Sequence, residues 1–323
     1  DADDLFGTAL ALSGDGQTLA VGAPGESGGS RSVNGNQNDK SRNGAGAVYL
    51  FGRLANGSWA PSTYVKASNA DALDGFGASL ALSADGRTLA VGAPGEDGSA
   101  FGVNGNAFLD DVTNRGAVLV FESLGVGWRQ TAYVKPANHL GRFFGSSISL
   151  SASGDLLAVG GPEDGDIRSG VERISGGEVA LFERLQSGWA PAVVLRATPY
   201  GRNDHFGSSV SLSSAGTTLV VGAAGEDGST DGANGNPSLR SAADSGAAYV
   251  FVRNAGGWTQ MAYLKASNTR DGAEFGGAVS LSGDARTLAV GSALESTESS
   301  GIDAAQAPGS TSDFGAVYVW ASK

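Results

Sequence analysis

The sequence predicts an all-β fold: a five-bladed β-propeller of four-stranded antiparallel blades, the last blade lacking its outer strand. Three observations predict it. Phe-Gly recurs at Phe6, Phe76, Phe144, Phe206 and Phe275, at intervals of 70, 68, 62 and 69 residues, and a long fixed period means repeated units. Each unit holds four short apolar or alternating runs separated by turn formers, the pattern of an antiparallel blade. Glycine supplies 52 of the 323 residues without the third-position period of collagen, which points to many turns between short strands. Helical periodicity appears in none of the units. One domain is therefore divided into blades at about 1–70, 71–138, 139–201, 202–268 and 269–323.

Within a unit the elements follow in a fixed order. The first strand follows Phe-Gly and is made of small residues: TALALS, ASLALS, SSISLS, SSVSLS and GAVSLS. Small side chains suit the crowded ring around a propeller axis. A short polar turn comes next, with Asp15-Gly16 and Asp85-Gly86 in the first two units, where glycine admits positive φ and closes a hairpin. The second strand reads TLAVGAP, TLAVGAP, LLAVGGP, TLVVGAA and TLAVGSA. A long loop leads to the third: GAVYLF, GAVLVF, GEVALF, GAAYVF and GAVYVW. The fourth opens on Trp59, Trp128, Trp189 or Trp258, with Tyr64, Tyr133 and Tyr263 five residues on. Aromatics repeated in one register pack between blades. The fifth unit stops at GAVYVWASK without such a strand, and Asp1 to Leu5 is too short to supply one. A closed ring about a pseudo-fivefold axis is expected, with a partial set of a larger propeller, cut from a longer chain, as the alternative. Its last blade would keep an unpaired edge that takes a strand from a neighbouring domain or molecule.

Composition sets bounds on function. Hydrophobic residues make up 41% of the chain and charged residues 17%, which suits a folded domain and not a disordered acidic tail. No apolar run approaches the roughly 20 residues of a membrane-spanning helix. A chain that opens on Asp1 is expected to be a processed segment, with any signal peptide removed. There is no cysteine, which excludes disulfides, zinc-thiolate sites and thiol nucleophiles. A net charge of −12 speaks against nucleic acid as partner and for cations or basic partners.

The charge is unevenly placed. The five loops between second and third strands, 23–46, 93–116, 161–177, 223–246 and 293–315, hold 18 acids and 7 bases. They account for nearly all of the net charge, in about a third of the length. In a propeller these loops share one face, which would carry a negative potential. Long loops on a rigid scaffold are also where binding groups sit.

Phe-Gly opening one strand and Gly-Ala-Pro closing the next resembles the FG-GAP repeat of integrin α-subunit heads. The variant with GAPGEDG, then NGN, then a strand such as GAVYV is similar to repeats of bacterial exported and surface proteins. The resemblance covers essentially the whole chain. It implies a non-catalytic adhesion or ligand-binding module of an exported bacterial protein, at the cell surface or outside the cell. One departure limits it. Integrin-type repeats carry a calcium loop of the pattern D-x-[DN]-x-[DN]-G between the first two strands. Here those turns read SGDGQ, SADGR, SASGD, SSAGT and SGDAR, too short and too poor in oxygens, so those calcium sites do not carry over.

Candidate site residues lie in the long loops. Phe101 and Phe108 are apolar residues in a polar loop with no counterpart in other blades, the placement of an anchor for a partner. Asn104, Asn106, Asp110 and Asp111 flank them, and Asn234 and Asn236 repeat the NGN in blade 4. Glu96, Asp97, Glu226 and Asp227 recur after the Gly-Ala-Pro position. Carboxylates beside amides and carbonyls are the oxygens that Ca²⁺ takes, so these four are candidate calcium ligands and Ca²⁺ the one cofactor expected. The competing reading makes Asn-Gly a turn former and the acids a solvated face.

No catalytic residue is expected. The five first strands contain no Asp, Glu, His, Lys or Arg, so the axis offers no acid–base chemistry. His139 and His205 each precede a Phe-Gly, as ordinary surface or packing residues. The expected function is therefore binding of a protein or glycan ligand on the acidic face. A lectin-like propeller is the alternative, and a hydrolase built from loop carboxylates a further one.

Overall fold

The computed structural model describes residues 2–137, 141–164, 176–297, 301–302 and 313–321. Each blade starts from a turn built on one serine. Ser13 Oγ donates to Asp15 Oδ1 at 2.6 Å and accepts the Thr18 amide at 2.9 Å. Ser83 does the same with Asp85 and Thr88, and Ser282 with Asp284 and Thr287. These hydroxyl bonds hold Asp15, Asp85 and Asp284 below the ordinary aspartate range. Gly16 and Gly86 sit at φ +65° and +64°, the left-handed conformation that glycine takes without strain.

The resulting hairpins extend to four strands in simple order, all antiparallel. Blade 1 comprises Leu10–Leu12, Thr18–Ala23, Ala47–Arg53 and Trp59–Val65. Blade 2 comprises Ser79–Leu82, Thr88–Ala93, Ala117–Ser123 and Trp128–Val134. Blade 3 has Ser147–Leu150, Leu156–Gly161, Glu178–Leu185 and Gly188–Leu195, and blade 4 has Phe206–Leu212, Thr218–Ala223, Ala247–Asn254 and Gly257–Leu264. Blade 5 stops at three: Phe275–Leu281, Thr287–Ser292 and Ala316–Ala321. Among the described residues there is no helix, so none is long and apolar enough to cross a membrane. The five-bladed, all-β architecture with a three-stranded last blade is as the repeats predict.

Blades join through one kind of contact. In the second strand, Gly22, Gly92, Gly160 and Gly222 each lie so close to the next blade that a Cβ would run into the backbone carbonyl of Gly77, Gly145, Gly207 or Gly276. The glycine of each later Phe-Gly is thus the place where one blade rests on the one before. Each later phenylalanine, Phe76, Phe144, Phe206 and Phe275, is fully buried. Gly46, Gly116 and Gly246 at the loop exits bridge Phe76, Phe144 and Phe275. Four apolar clusters result, one between each pair of consecutive blades. Trp128, Trp189 and Trp258 pack into three of them, as their repeated register implies. Trp59, however, is 39% exposed and belongs to none of the four, so the expectation fails for blade 1.

The expected closure of the ring is corrected. Among the described residues, no fifth cluster joins blade 5 to blade 1. Phe6 is 58% exposed and Leu10 64%, whereas Val317 on the far blade is 69% exposed. A Cβ on Gly7 would meet nothing within 4 Å, and one on Gly291 would meet only Ala278 of its own blade. The repeat dictates how each blade sits on the next. It does not dictate how many blades bring the ends together, and each end keeps an apolar face bare.

Candidate functional site

The long loops are tied down by a buried lock that recurs from blade to blade. The Glu26 carboxylate accepts Lys66 Nζ at 3.0 Å, Tyr64 OH at 3.1 Å and the Gly28 amide at 2.9 Å. Glu96 accepts Lys135, Tyr133 (2.7 Å), the Gly98 amide (3.0 Å) and Asn69 Nδ2 (3.2 Å). Glu226 accepts Lys265 at 2.9 Å and Tyr263 at 3.0 Å. The tyrosine belongs to the fourth strand and the lysine is the first residue after it, two positions on in extended chain and hence on one face. Blade 3 departs from this pattern: Arg196 pairs with Glu178 at 2.6 Å. Burial would raise the Glu26 pKa, but the Lys66 hydrogen bond and charge, with the Gly28 amide and the Tyr64 hydroxyl, outweigh it and hold it below the ordinary range. Burial pulls the Lys66, Lys135 and Lys265 ammonium groups below the usual lysine value, against the opposing pull of their glutamates.

The asparagines of NGN also serve the scaffold. Asn34, Asn104 and Asn234 have left-handed φ of +55°, +57° and +56°. Each donates its amide to the carbonyl of the fourth-strand tyrosine at 2.7 Å and accepts that tyrosine's amide on Oδ1, at 3.0 to 3.1 Å. Asn106 and Asn236 cap the next turn through the Phe108 and Ser238 amides. The four predicted ligand-binding asparagines thus spend their amide oxygens on loop anchoring. Sequence reading gave these asparagines to a ligand and did not see the anchoring role, because the partner of Asn104 and Asn234 is backbone about 30 residues away.

What differs between blades is the residue four positions after the second asparagine of NGN. In blade 4 it is Arg240, whose guanidinium fills an acidic cluster. Its nitrogens reach Asp204 at 2.5 Å, Asp227 at 3.0 Å and Glu226 at 3.3 Å. In blade 1 it is Lys40, 3.4 Å from Glu26. In blade 2 it is Asp110. The corresponding cluster there, Asp74, Glu96 and Asp97, lacks the internal base and lines an open cleft of about 40 Å³ between the loops of blades 1 and 2. Asp71, Asp110, Phe108 and Arg31 complete its rim. Asn69 lines it too, and with Nδ2 given to Glu96 its buried Oδ1 has no hydrogen-bond partner. Asp71 is taken by Arg31 at 3.6 Å and by Arg42. Phe108 is 67% exposed, with the Arg31 guanidinium 5.8 Å from its ring centroid, within cation–π range.

Asp74 is the most perturbed acid of the cleft. Burial, with added repulsion from Glu96, Asp71 and Asp97, raises it from 3.8 to about 7 although the Asp71 amide opposes the shift. The sign of its effect follows from linkage. The folded state holds the proton more tightly than the unfolded state, so the stability Asp74 contributes is full below pH ~4 and lost as pH rises through ~7. Asp74→Asn should therefore leave stability nearly unchanged at pH 4 and raise it at pH 8, by about 2–4 kcal/mol. Urea denaturation at the two pH values checks this. An equal change at both would remove the burial argument.

The structure thus gathers Asp97, Phe108 and Asp110 at one cleft with Glu96 at its floor. Asp111 lies beside it, with Oδ1 accepting the Ser99 amide at 3.2 Å, and Phe101 is 40% exposed in the same loop. Asn234, Asn236, Glu226 and Asp227 belong to blade 4, where Arg240 neutralises the acids. The calcium candidates Glu96 and Glu226 have lysine ammonium groups against their carboxylates. Among the described residues no three Asp, Glu or His side chains converge as metal ligands do. His205 lies in the link before Phe206, and His139 lies outside the described residues. Sequence reading missed Asp74, Asn69 and Arg31. Aligning the units on NGN would have exposed the Lys40, Asp110, Arg240 substitution.

A profile of the family described as FG-GAP repeat matches residues 189–251 and 258–320, the fourth strand of one unit through the third of the next, twice over. No curated protein matches the chain. Among solved structures, the periplasmic gluconolactonase PpgL of Pseudomonas aeruginosa is similar with a TM-score of 0.47 and 16% identity. The likeness covers 88% of this chain and 64% of that one, so this chain spans under two thirds of that structure, and no inference about activity follows from it.

Proposed function

We propose that this chain, an FG-GAP repeat propeller, is a non-catalytic binding module that grips a basic side chain of a protein partner in the acidic cleft between blades 1 and 2. One observation carries the reading. The equivalent cluster in blade 4 is filled by the protein's own Arg240, whereas Asp110 at that position leaves the blade 2 cluster to a ligand. Arginine fits best, since its planar fork can bond two carboxylates and the unpartnered Asn69 carbonyl together. Phe108 at the rim offers the apolar contact of a protein interface. The family resemblance supports adhesion by an exported bacterial protein as the setting.

The cleft favours a cation more strongly once Asp74 is ionised, so affinity should rise as pH goes from 6 to 8. Titration of the chain with arginine-rich peptides, their citrulline counterparts and a glycan panel tests this. Arginine peptides should bind, citrulline peptides should not, and Asp97→Asn or Phe108→Ala should each weaken binding about tenfold. Binding confined to glycans, or turnover of a glycoside or ester lost in Asp74→Asn, would replace this reading by a lectin or a hydrolase.

A further inference from the structure

We propose that the cleft between blades 1 and 2 recognises an arginine flanked by apolar residues in an extended segment of the partner, with Leu73 and Phe108 receiving the flanking side chains. This specificity rests on the reading of the cleft as a receptor for a basic side chain. Three departures from the repeat meet at this cleft. Asp110 stands where blades 1 and 4 have Lys40 and Arg240. Phe108 follows the second asparagine of NGN by two, where the same blades have Asn38 and Ser238. Its amide donates to Asn106 Oδ1 at 3.1 Å, as the Asn38 and Ser238 amides donate to Asn36 and Asn236 at 3.0 Å. The scaffold thus uses only the backbone at this position, and polar residues meet that need elsewhere.

Leu73 is the third departure. It lies three residues before Phe-Gly, where the other units have Asp3, Gly141, Asn203 and Gly272. The backbone is shared: φ is +70° at Asp3, +66° at Leu73, +57° at Asn203 and +71° at Gly272. The Leu73 and Gly272 amides donate to the Asn43 and Ala243 carbonyls at 2.9 and 2.7 Å. Left-handed backbone suits glycine, asparagine and aspartate and is strained in leucine. Burial does not offset the strain, because Leu73 is 69% exposed. Strain kept without a packing gain points to a role outside the fold.

Two chain segments line the cleft beside Glu96 and Asp97. The link 69–74 carries Leu73, and the loop 107–110 carries Phe108. Between them lie the acids and the buried Asn69 Oδ1, which has no hydrogen-bond partner and suits a guanidinium donor. In an extended chain, side chains two residues apart point the same way, roughly 6.7 Å from one another. The apolar residues of the partner therefore fall two positions before and two after the arginine. Apolar contacts at the rim keep water from the charged contact at the centre.

The experiment titrates the full chain with labelled Leu-Gly-Arg-Gly-Leu, with Gly-Gly-Arg-Gly-Gly and with the citrulline form of each, followed by fluorescence anisotropy. The leucine peptide should bind at least tenfold more tightly than the glycine peptide. Leu73→Asn, which installs the residue of blade 4, should weaken the leucine peptide about fivefold and leave the glycine peptide unchanged. The same variant should raise the melting temperature by about 2 °C, because the backbone strain is relieved. Equal binding of the two arginine peptides, equal weakening of both by Leu73→Asn, or a lower melting temperature would each overturn the proposal. A preference for arginine over citrulline with no gain from leucine would overturn this specificity alone. Citrulline peptides that bind as well as arginine peptides would remove the basic-side-chain reading, and this specificity with it.

Discussion

Lys135→Met should lower the stability of the protein by about 3–5 kcal/mol, read as a large fall in the urea midpoint. Lys135 and Glu96 are both buried and form an ion pair. Removing the ammonium leaves the carboxylate with only the Tyr133, Asn69 and Gly98 donors, and a buried charge missing its counter-ion is the costly case. Lys265→Met should cost less, because Arg240 remains 3.3 Å from Glu226. Adding Glu96→Gln should recover much of it, because a neutral acceptor and donor tolerate the site better than a lone carboxylate. Equal losses for the two lysines would show that the neighbouring arginine is not part of the blade 4 lock.

Gly160→Ala should be nearly as damaging, by about 3 kcal/mol, through strain and not through charge. Its added methyl would meet the Gly207 carbonyl and the Ser147 hydroxyl, and neither backbone can move without parting blade 3 from blade 4. Gly291→Ala makes the same change at the same blade position. There the nearest atom is the Ala278 Cβ at 3.4 Å, an ordinary contact, so it should change stability by under about 1 kcal/mol. Thermal melts of the two variants in parallel decide the matter. A large loss in Gly291→Ala would mean that the outer face of blade 5 is covered after all.

Much of the fold was legible because its signals are local and repeated. Phe-Gly marks every unit, the Trp strand four of them and the Asp-Gly turn the first two, and the structure uses each kind as a packing or turn element. Closure was not legible. It depends on the small angle between successive blades, which no single unit encodes. The site was half legible. Phe108 stood out by lacking a counterpart, but Asp110 read as one more loop acid, and the acids next to it looked alike across blades. What separates them is whether Lys40, Arg240 or neither reaches in, and that contact lies 14 residues downstream of the glutamate in a loop without regular structure. Asp74 was hidden because it belongs to the link before Phe-Gly, outside the loops that carry the charge.

The most direct measurement is the crystal structure of the Asp110→Arg variant, since it needs no knowledge of the natural ligand. If the blade 2 cleft is a vacant copy of the Arg240 site, the introduced guanidinium should enter it. Its nitrogens should come within hydrogen-bond distance of Asp74 and Asp97, and Asn69 Oδ1 should gain a partner. The melting temperature should rise by about 2–4 °C, and arginine peptides should no longer bind. A side chain that instead lies in solvent, with the cleft unchanged and the peptides still bound, would contradict the assignment of this cleft as a receptor for a basic side chain.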